Sequence, residues 1–321
     1  MIELPFIGLV ETELGEVESL LARHPAGQHE AIGLAVDHLV SGGGKRLRPI
    51  LVVLSAHLCD ADVEQAMFAA AAAEMLHTAT LVHDDLIDGS LIRRGVGTLN
   101  ASWTPAATVL TGDYMFARAA HLIAQTNHVR MIQRFAETLM IICNGEIRQL
   151  FNGRLDQTDL EEYEQRIYAK TACLIALSAE AGAILANAED EQEEALRAYG
   201  EKIGMAFQIV DDVLDFVADE ETLGKPVGSD LRHGLTTLPV LLFLQSEADQ
   251  RAVRQVLEGD HSEEAIGEAV QAIADSPAIG QALAAAQQHV RDAKAALDRV
   301  PDTSYRTALL DLADFTVDRR F

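Results

Sequence analysis

The sequence predicts an all-α fold. Helical periodicity runs through almost all of the 321 residues, and only 8 prolines interrupt it. Alanine-rich stretches such as Phe68–Ala73 and Ala282–Gln288 add helix propensity. No stretch alternates apolar and polar residues between turn signals well enough to read as a strand.

In chain order, the first amphipathic segment is Glu13–Ala22, and Glu30–Val40 again spaces its apolar residues helically. Pro49–Leu58 follows a glycine-rich basic loop. Helices are then expected over Val63–Asp88, Thr108–Ala124, Arg130–Phe151, Leu160–Ala186 and Glu191–Ala218. Pro239–Leu244, Arg251–Leu257, Glu263–Ala274, Ile279–Leu297 and Ser304–Arg319 complete the series. The breaks at Ser41–Gly44, Gly89–Trp103, Asn152–Asp159 and Asp219–Gly234 lack the length and Pro/Ser content of a domain linker. A single all-α domain over 1–321 is the simplest architecture, with helices apolar on most faces near its centre.

Composition narrows the function. Hydrophobic residues make up 49% and charged residues 23%, a globular mixture rather than a disordered one. Twenty-five basic residues against 50 acidic ones leave a net charge of −25. That balance argues against nucleic acid and against an anionic membrane surface as partners. Cys59, Cys143 and Cys173 are far apart and odd in number, so reduced, buried thiols are expected rather than disulfides or a metal site. The N-terminus lacks a basic signal-peptide region, and no run of 18 apolar residues appears, so no integral membrane segment is expected. These features describe a soluble cytoplasmic protein.

Two acidic clusters stand out. His83-Asp84-Asp85-Leu86-Ile87-Asp88 ends a strongly apolar helix. Residues four apart share a helix face, so Asp84 and Asp88 point into one small volume. Carboxylates there repel one another unless a cation compensates, and acids are disfavoured at a helix C-terminus. Hard oxygen donors suit Mg2+, which takes one or two carboxylates together with phosphate oxygens and water. Alone, this cluster also fits a solvated acidic helix end. The pattern recurs, however, at Asp211-Asp212-Val213-Leu214-Asp215 inside an apolar helix, where a merely solvated face fits poorly. Two such clusters predict opposed walls of one metal-filled cavity.

An acidic cavity needs an anion to complete it. Ser41-Gly42-Gly43-Gly44-Lys45-Arg46-Leu47-Arg48-Pro49 concentrates cations on a loop that enters a helix. Glycines let backbone N–H groups approach an anion, Arg48 can fork onto phosphate oxygens and Lys45 supplies a point charge. Taken alone, the run also reads as an exposed basic loop, and its spacing is not that of a P-loop. Arg93-Arg94-Gly95, Lys170-Thr171 and Gly224-Lys225-Pro226 bring further cations beside these motifs.

Together these residues resemble the trans-isoprenyl diphosphate synthase (polyprenyl synthetase) family. GGKRLRP, HDDLID with RRG after it, GDYMFARA, the KTA triplet, GMAFQIVDDVLD and GKPVGSDL follow one another in the family's order, and the similarity runs from about Gly43 to the end of the chain. The resemblance implies a large antiparallel helical bundle around a central cavity, usually a homodimer. It implies head-to-tail condensation of isopentenyl diphosphate onto an allylic diphosphate. Asp84, Asp88 and Asp211 would then hold magnesium on the allylic diphosphate, with Asp85, Asp212 and Asp215 as ligands or their supports. Arg93, Lys170, Thr171, Gln208 and Lys225 would contact the allylic substrate. Lys45, Arg48, His77 and Arg94 would take isopentenyl diphosphate. Leu81, Val82, Phe207 and Val210 are candidate walls that keep water from the carbocation. The family often has a second lysine after its GKxxGxD segment; Leu235 stands there, with Arg232 or His233 as candidate substitutes.

Product length has its own signal. One helical turn rises about 5.4 Å, close to one isoprene unit. Ala79 and Thr80, one turn below Asp84, are small, as are Ala73 and Ala72 deeper down, and Leu76 is not aromatic. A product longer than farnesyl is therefore expected, geranylgeranyl or above, although Met115 or Phe116 on a facing helix can form a floor. Small residues also simply permit close helix packing. Three rival readings fit part of the pattern. A di-iron bundle would use Glu74-x-x-His77, but its formal second copy, Glu258-x-x-His261, crosses a helix end. A class I terpene cyclase shares the metal chemistry but needs no second diphosphate site, against Lys45, Arg48 and Arg94. In a heteromeric synthase this chain would be the catalytic subunit, since a non-catalytic one would normally have lost the acidic clusters.

Overall fold

The computed structural model describes residues 6–41, 44–93, 95–151, 159–217, 227–246 and 248–318. Its helices are α1 (Glu11–Ala22), α2 (Glu30–Ser41), α3 (Leu47–Leu58), α4 (Val63–Ile87), α5 (Leu99–Ser102), α6 (Pro105–Ala124), α7 (Val129–Phe151), α8 (Leu160–Ile167), α9 (Cys173–Ala186) and α10 (Asp190–Val217). Shorter and longer helices follow at Ser229–Arg232, Leu238–Leu244, Arg251–Leu257, Glu263–Ala274, Pro277–Ala296 and Ser304–Val317. The all-α expectation holds, with most boundaries moved by a few residues. Proline explains one shift: α6 starts at Pro105, whose fixed φ suits a first helical position, and the Thr104 hydroxyl accepts from the Ala107 N–H as its cap.

The expectation of no strand is corrected at one place. Ile92–Arg93 and Val96–Gly97 form an antiparallel hairpin, β1 and β2, paired Ile92 to Gly97 and Arg93 to Val96. Two-residue strands are too short to show alternation, and Gly95 supplies the positive φ of +76° in the turn. The segment Leu160–Ala186 is likewise not one α-helix, because Tyr168–Ala172 forms a π-helical turn between α8 and α9. By length and composition that segment could cross a membrane, yet 89% of its most apolar window is buried, as in a core helix. Of the three cysteines, only Cys173 is fully buried; Cys59 is half-buried and Cys143 exposed, so the expectation of buried thiols holds for one.

The chain forms two compact units. The first comprises Met1–Thr138, Leu174–Arg197 and Leu297–Asp311. Its axis is α4, packed chiefly on α6, α3 and α1. The buried run Ala69–Ala73 presents methyl groups only and lets these neighbours approach closely. α4 is capped by Asp62, whose carboxylate accepts from the Glu64 and Gln65 N–H groups. Small residues recur at the tightest crossings. A Cβ on Gly182 of α9 would lie 2.2 Å from the backbone N of Ala56 and from the carbonyl carbon of Ser55, and one on Gly112 of α6 would lie 2.2 Å from His83 Nε2. Arg118, buried on α6, donates to the carbonyls of Leu20, Leu21 and Arg23 and so closes the C-terminus of α1.

The second unit comprises Leu139–Cys173, Ala198–Ala296 and Leu312–Phe321. It holds the π-helical turn and the C-terminal part of α10. Gly204 of α10 faces Ala172, where a Cβ would come within 2.4 Å of its Cα. A separate apolar cluster around Phe216, Leu231, Val240, Phe243, Ile266 and Ile273 anchors the later helices.

Gly182→Ala should destabilise the fold by about 3 kcal/mol, because the added methyl meets backbone rather than a movable side chain. Gly15→Ala, where a Cβ meets nothing within 4 Å in exposed helix, should be neutral or stabilising by up to about 1 kcal/mol. Thermal or denaturant unfolding of both variants checks the contrast; equal effects would show that the α3–α9 crossing is not tight.

Candidate active site

In the first acidic motif the middle carboxylate is the buried one. Asp84 is half-buried, Asp85 buried, and Asp88, which ends α4, exposed. Arg93, on β1, donates from Nε to Asp85 Oδ1 at 2.8 Å. Burial pushes the Asp85 carboxyl above its ordinary range, and the Arg93 guanidinium works against that rise. The hairpin missed by sequence is therefore what carries Arg93 back to α4. His83 points to the other side, toward α6. Its Nε2 lies 3.2 Å from the Val109 carbonyl and its ring packs edge-on to Phe116 at 5.2 Å, in the space Gly112 leaves open. The glycine of GDYMFARA thus makes room for the histidine of HDDLID.

The second motif repeats the arrangement inside the second unit. Asp211 is half-buried, whereas Asp212 and Asp215 are 3% and 0% exposed. Both oxygens of Asp212 are engaged: the Tyr163 hydroxyl donates to Oδ2 at 2.8 Å, and Gln208 Nε2 donates to Oδ1 at 2.9 Å. The Thr171 hydroxyl in turn donates to Gln208 Oε1 at 2.8 Å. This chain joins the KTA triplet, on the π-helical turn, to the carboxylate motif on α10. Burial, then the charge of Asp230, pushes the Asp212 carboxyl up to about 7, while the Gln208 and Tyr163 bonds oppose the rise. Asp215 Oδ2 accepts from the Asp230 N–H at 3.0 Å. Lys170 is exposed beside buried Thr171.

The basic loop divides into two kinds of cation. Lys45 is exposed, and Arg48 is half-buried on the first turn of α3. Arg46, between them, caps α3 in the left-handed region with φ +50°. Its guanidinium forks onto Glu18 of α1 and reaches Glu74 Oε1 of α4 at 3.0 Å and the Val40 carbonyl of α2 at 2.7 Å. Burial disfavours the Arg46 charge, and the two glutamates outweigh it, raising its pKa. Glu74, weighed above as half of a di-iron E-x-x-H, is thus the counterion of Arg46. One turn on, His77 is half-buried.

Ala79 is fully buried, whereas Thr80 is half-buried and lies four residues from Asp84 on the same face. Among the apolar candidates, Val82 and Val210 are buried and Leu81 and Phe207 half-buried. Arg94 and Lys225 lie outside the described residues. Of the two candidate substitutes for the lysine at Leu235, Arg232 pairs with Glu263 at 2.6 Å, and His233 Nδ1 contacts the Ser229 carbonyl at 2.7 Å. Arg166 also reaches this segment, donating to the Thr236 carbonyl at 2.5 Å and lying over the Tyr163 ring. Sequence reasoning passed over Tyr163, Arg166 and the inward role of Arg46; one signal for the first two was their spacing of seven and four residues before Lys170.

Among the described residues, no group of three or more His, Cys, Asp or Glu side chains is close enough to hold a metal ion by itself. Asp84 and Asp88 share a face of α4 and offer hard carboxylate oxygens, as does half-buried Asp211 of α10, whereas Asp215 is fully buried. Such oxygens fit a magnesium ion that completes its shell with phosphate oxygens and water.

A helical scaffold with two paired-carboxylate motifs, each backed by buried hydrogen bonds, and a pinned basic loop defines a diphosphate-handling enzyme. The polyprenyl synthetase family model matches residues 29–274, and the chain belongs to this family. It is 37% identical over 292 residues to octaprenyl diphosphate synthase of Haemophilus influenzae, covering 90% of this chain and 89% of that one. It is 41% identical over 303 residues to heptaprenyl diphosphate synthase component 2 of Geobacillus stearothermophilus, covering 94% of each. The crystal structure of a polyprenyl synthase from Caulobacter crescentus CB15 complexed with calcium and isoprenyl diphosphate superposes with a TM-score of 0.93 at 38% identity, covering 98% of this chain and 97% of that one. The chain is accordingly a transferase of the prenyl diphosphate synthase class.

Tyr163→Phe should cost about 1–3 kcal/mol, the penalty for leaving buried Asp212 short of a donor. The folded chain keeps the Asp212 proton to about pH 7, while the unfolded chain releases it near 3.8. Folded protein therefore binds more protons across that window, and its stability falls as pH rises through it. Asp212→Asn removes this contribution. Melting curves should show the variant gaining on the parent between pH 4 and pH 7; a constant difference would contradict the assignment.

Proposed function

We propose that the chain joins isopentenyl diphosphate head-to-tail to an allylic diphosphate with magnesium as its metal, acting as a cytoplasmic homodimer, and that its product is longer than farnesyl diphosphate. The observation that carries this reading is the stripe on α4. Half-buried Thr80, Leu81 and Asp84 line one side of the helix and end on exposed Asp88, so a small and an apolar position lie directly below the carboxylates. A chain held by its diphosphate at Asp84 would grow down that stripe, about one isoprene unit per turn.

In this reading Asp84, Asp88 and Asp211 hold the metal, which supplies charge neutralisation for the departing pyrophosphate. Asp85, Asp212 and Asp215 support them. Arg93, Thr171 and Gln208 act by holding these carboxylates in place, and exposed Lys170 meets the allylic diphosphate together with Lys225. Lys45, Arg48, His77 and Arg94 hold isopentenyl diphosphate. The allylic C–O bond breaks, the isopentenyl double bond attacks the resulting cation, and the proton lost from the new C–C unit passes to the released pyrophosphate. Leu81 and Phe207 shield the cation from water.

A second copy is the proposed partner because α7 carries an exposed apolar face, with Met140, Ile147 and Leu150 at helical spacing. A heteromeric assembly is the second reading, favoured by the 41% identity to a component 2. Purified chain alone decides between them: activity in a species of twice the monomer mass supports the homodimer, and inactivity until another subunit is added supports the heteromer.

Incubation with radiolabelled isopentenyl diphosphate, an allylic primer and Mg2+ should give polyprenyl diphosphates, and a metal chelator should abolish them. Thr80→Phe should shorten the products, whereas Ala79→Phe should chiefly destabilise, since Ala79 is 0% exposed and overpacking costs about 1–3 kcal/mol. An unchanged product profile in folded Thr80→Phe protein would refute the placement of the growing chain.

A further inference from the structure

The three cations of Lys45-Arg46-Leu47-Arg48 are equivalent in sequence but not in structure. Arg46 is turned inward, and its guanidinium donates to groups on three helices. It pairs with Glu18 on α1 and Glu74 on α4, and it closes the last turn of α2 through the Val40 carbonyl. Glu74 is 6% exposed, and among the described residues its second oxygen, Oε2, is buried without a hydrogen-bond partner, so the Arg46 guanidinium compensates its charge. Arg46 also holds a left-handed conformation that a non-glycine residue rarely adopts, at φ +50°. Such a conformation persists only where its surroundings fix it. The residues on either side, Lys45 and Arg48, and His77 one turn beyond Glu74, are the ones assigned above to the isopentenyl diphosphate.

We infer that Arg46 is the positioning residue of the isopentenyl diphosphate site: by locking the backbone of the basic loop to Glu18 and Glu74, it presets Lys45, Arg48 and His77 around one diphosphate. This rests on the reading of those three residues given under Proposed function. Lysine at this position cannot reproduce the role, because an ammonium lacks the planar fork that spans Glu18, Glu74 and a carbonyl together. Without the lock, the Lys45–Arg48 segment must be positioned by the ligand itself, which weakens binding.

The test is calorimetric titration of isopentenyl diphosphate alone, without allylic primer, so that no turnover enters the reading. Parent protein, Arg46→Gln, Arg46→Lys and Glu18→Gln are compared, with melting curves for each. The expected result is binding to the parent, weakened by about tenfold or more in Arg46→Gln and Arg46→Lys and by a smaller factor in Glu18→Gln. The KM of the allylic diphosphate should stay within about twofold in the same variants, a split that general destabilisation would not produce. Should Arg46→Gln fail to fold, Arg46→Lys and the half-exposed Glu18→Gln carry the comparison. Undiminished binding of isopentenyl diphosphate in the folded variants, or equal loss for both substrates, overturns the inference. Absence of binding even in the parent would overturn the assignment of Lys45, Arg48 and His77, and the inference with it.

Discussion

A carboxylate set into an apolar helix must be compensated, and the rest of the site follows from how this chain does it. In both acidic motifs the second aspartate is buried and satisfied by the protein itself. Asp85 takes the Arg93 guanidinium, and Asp212 takes the Tyr163 hydroxyl and the Gln208 amide. The first aspartate of each, Asp84 and Asp211, is half-buried on the helix face. Unpaired burial of either middle carboxylate would cost several kcal/mol, so these donors are part of the site rather than ornament to it. The motifs differ at their third position: Asp88 is exposed at the end of α4, whereas Asp215 is sealed inside and bonded to the Asp230 N–H.

Close packing makes this geometry possible. α4 reaches its neighbours through a run of alanines, and glycines at 112, 182 and 204 stand where any side chain would strike a neighbour. The π-helical turn at Tyr168–Ala172 shifts the helical phase beside Gly204 and sets Thr171 opposite Gln208 while Lys170 remains outside. π-Helical turns interrupt α-helices most often at functional positions. In a chain with a net charge of −25, the few cations are used sparingly. Some, such as Arg46 and Arg118, are consumed in holding helices together, and others, such as Lys45 and Lys170, stand at the surface.

The helices were legible because their periodicity is long and strong, as in α4 and α10, and the acidic motifs were legible because a repeated spacing on a helix has a direct geometric meaning. The family resemblance rested on the same motifs and is shown by the match over residues 29–274. Illegible features have a common cause: they depend on which residue a side chain meets across the fold. The hairpin at Ile92–Gly97 is too short for a period. Tyr163 looks like one aromatic residue in an acidic helix until Asp212 is seen beside it. Arg46 reads as one more cation of the basic loop until Glu18 and Glu74 are found around it. Glu74-x-x-His77 has metal-ligand spacing, yet its glutamate faces an arginine. Leu235 was recognised as a departure, whereas the bond from Arg166 to the neighbouring Thr236 carbonyl, 70 residues apart, carries no sequence signal.

The central proposal is that each carboxylate motif binds pyrophosphate through magnesium. Calorimetric binding of inorganic pyrophosphate with and without Mg2+ tests it most directly, since no reaction follows. The account predicts binding only with the metal, and a loss of about tenfold or more from Asp84→Asn and from Asp211→Asn alike. Full-strength binding in either single variant, with its fold intact, would contradict the role of that motif.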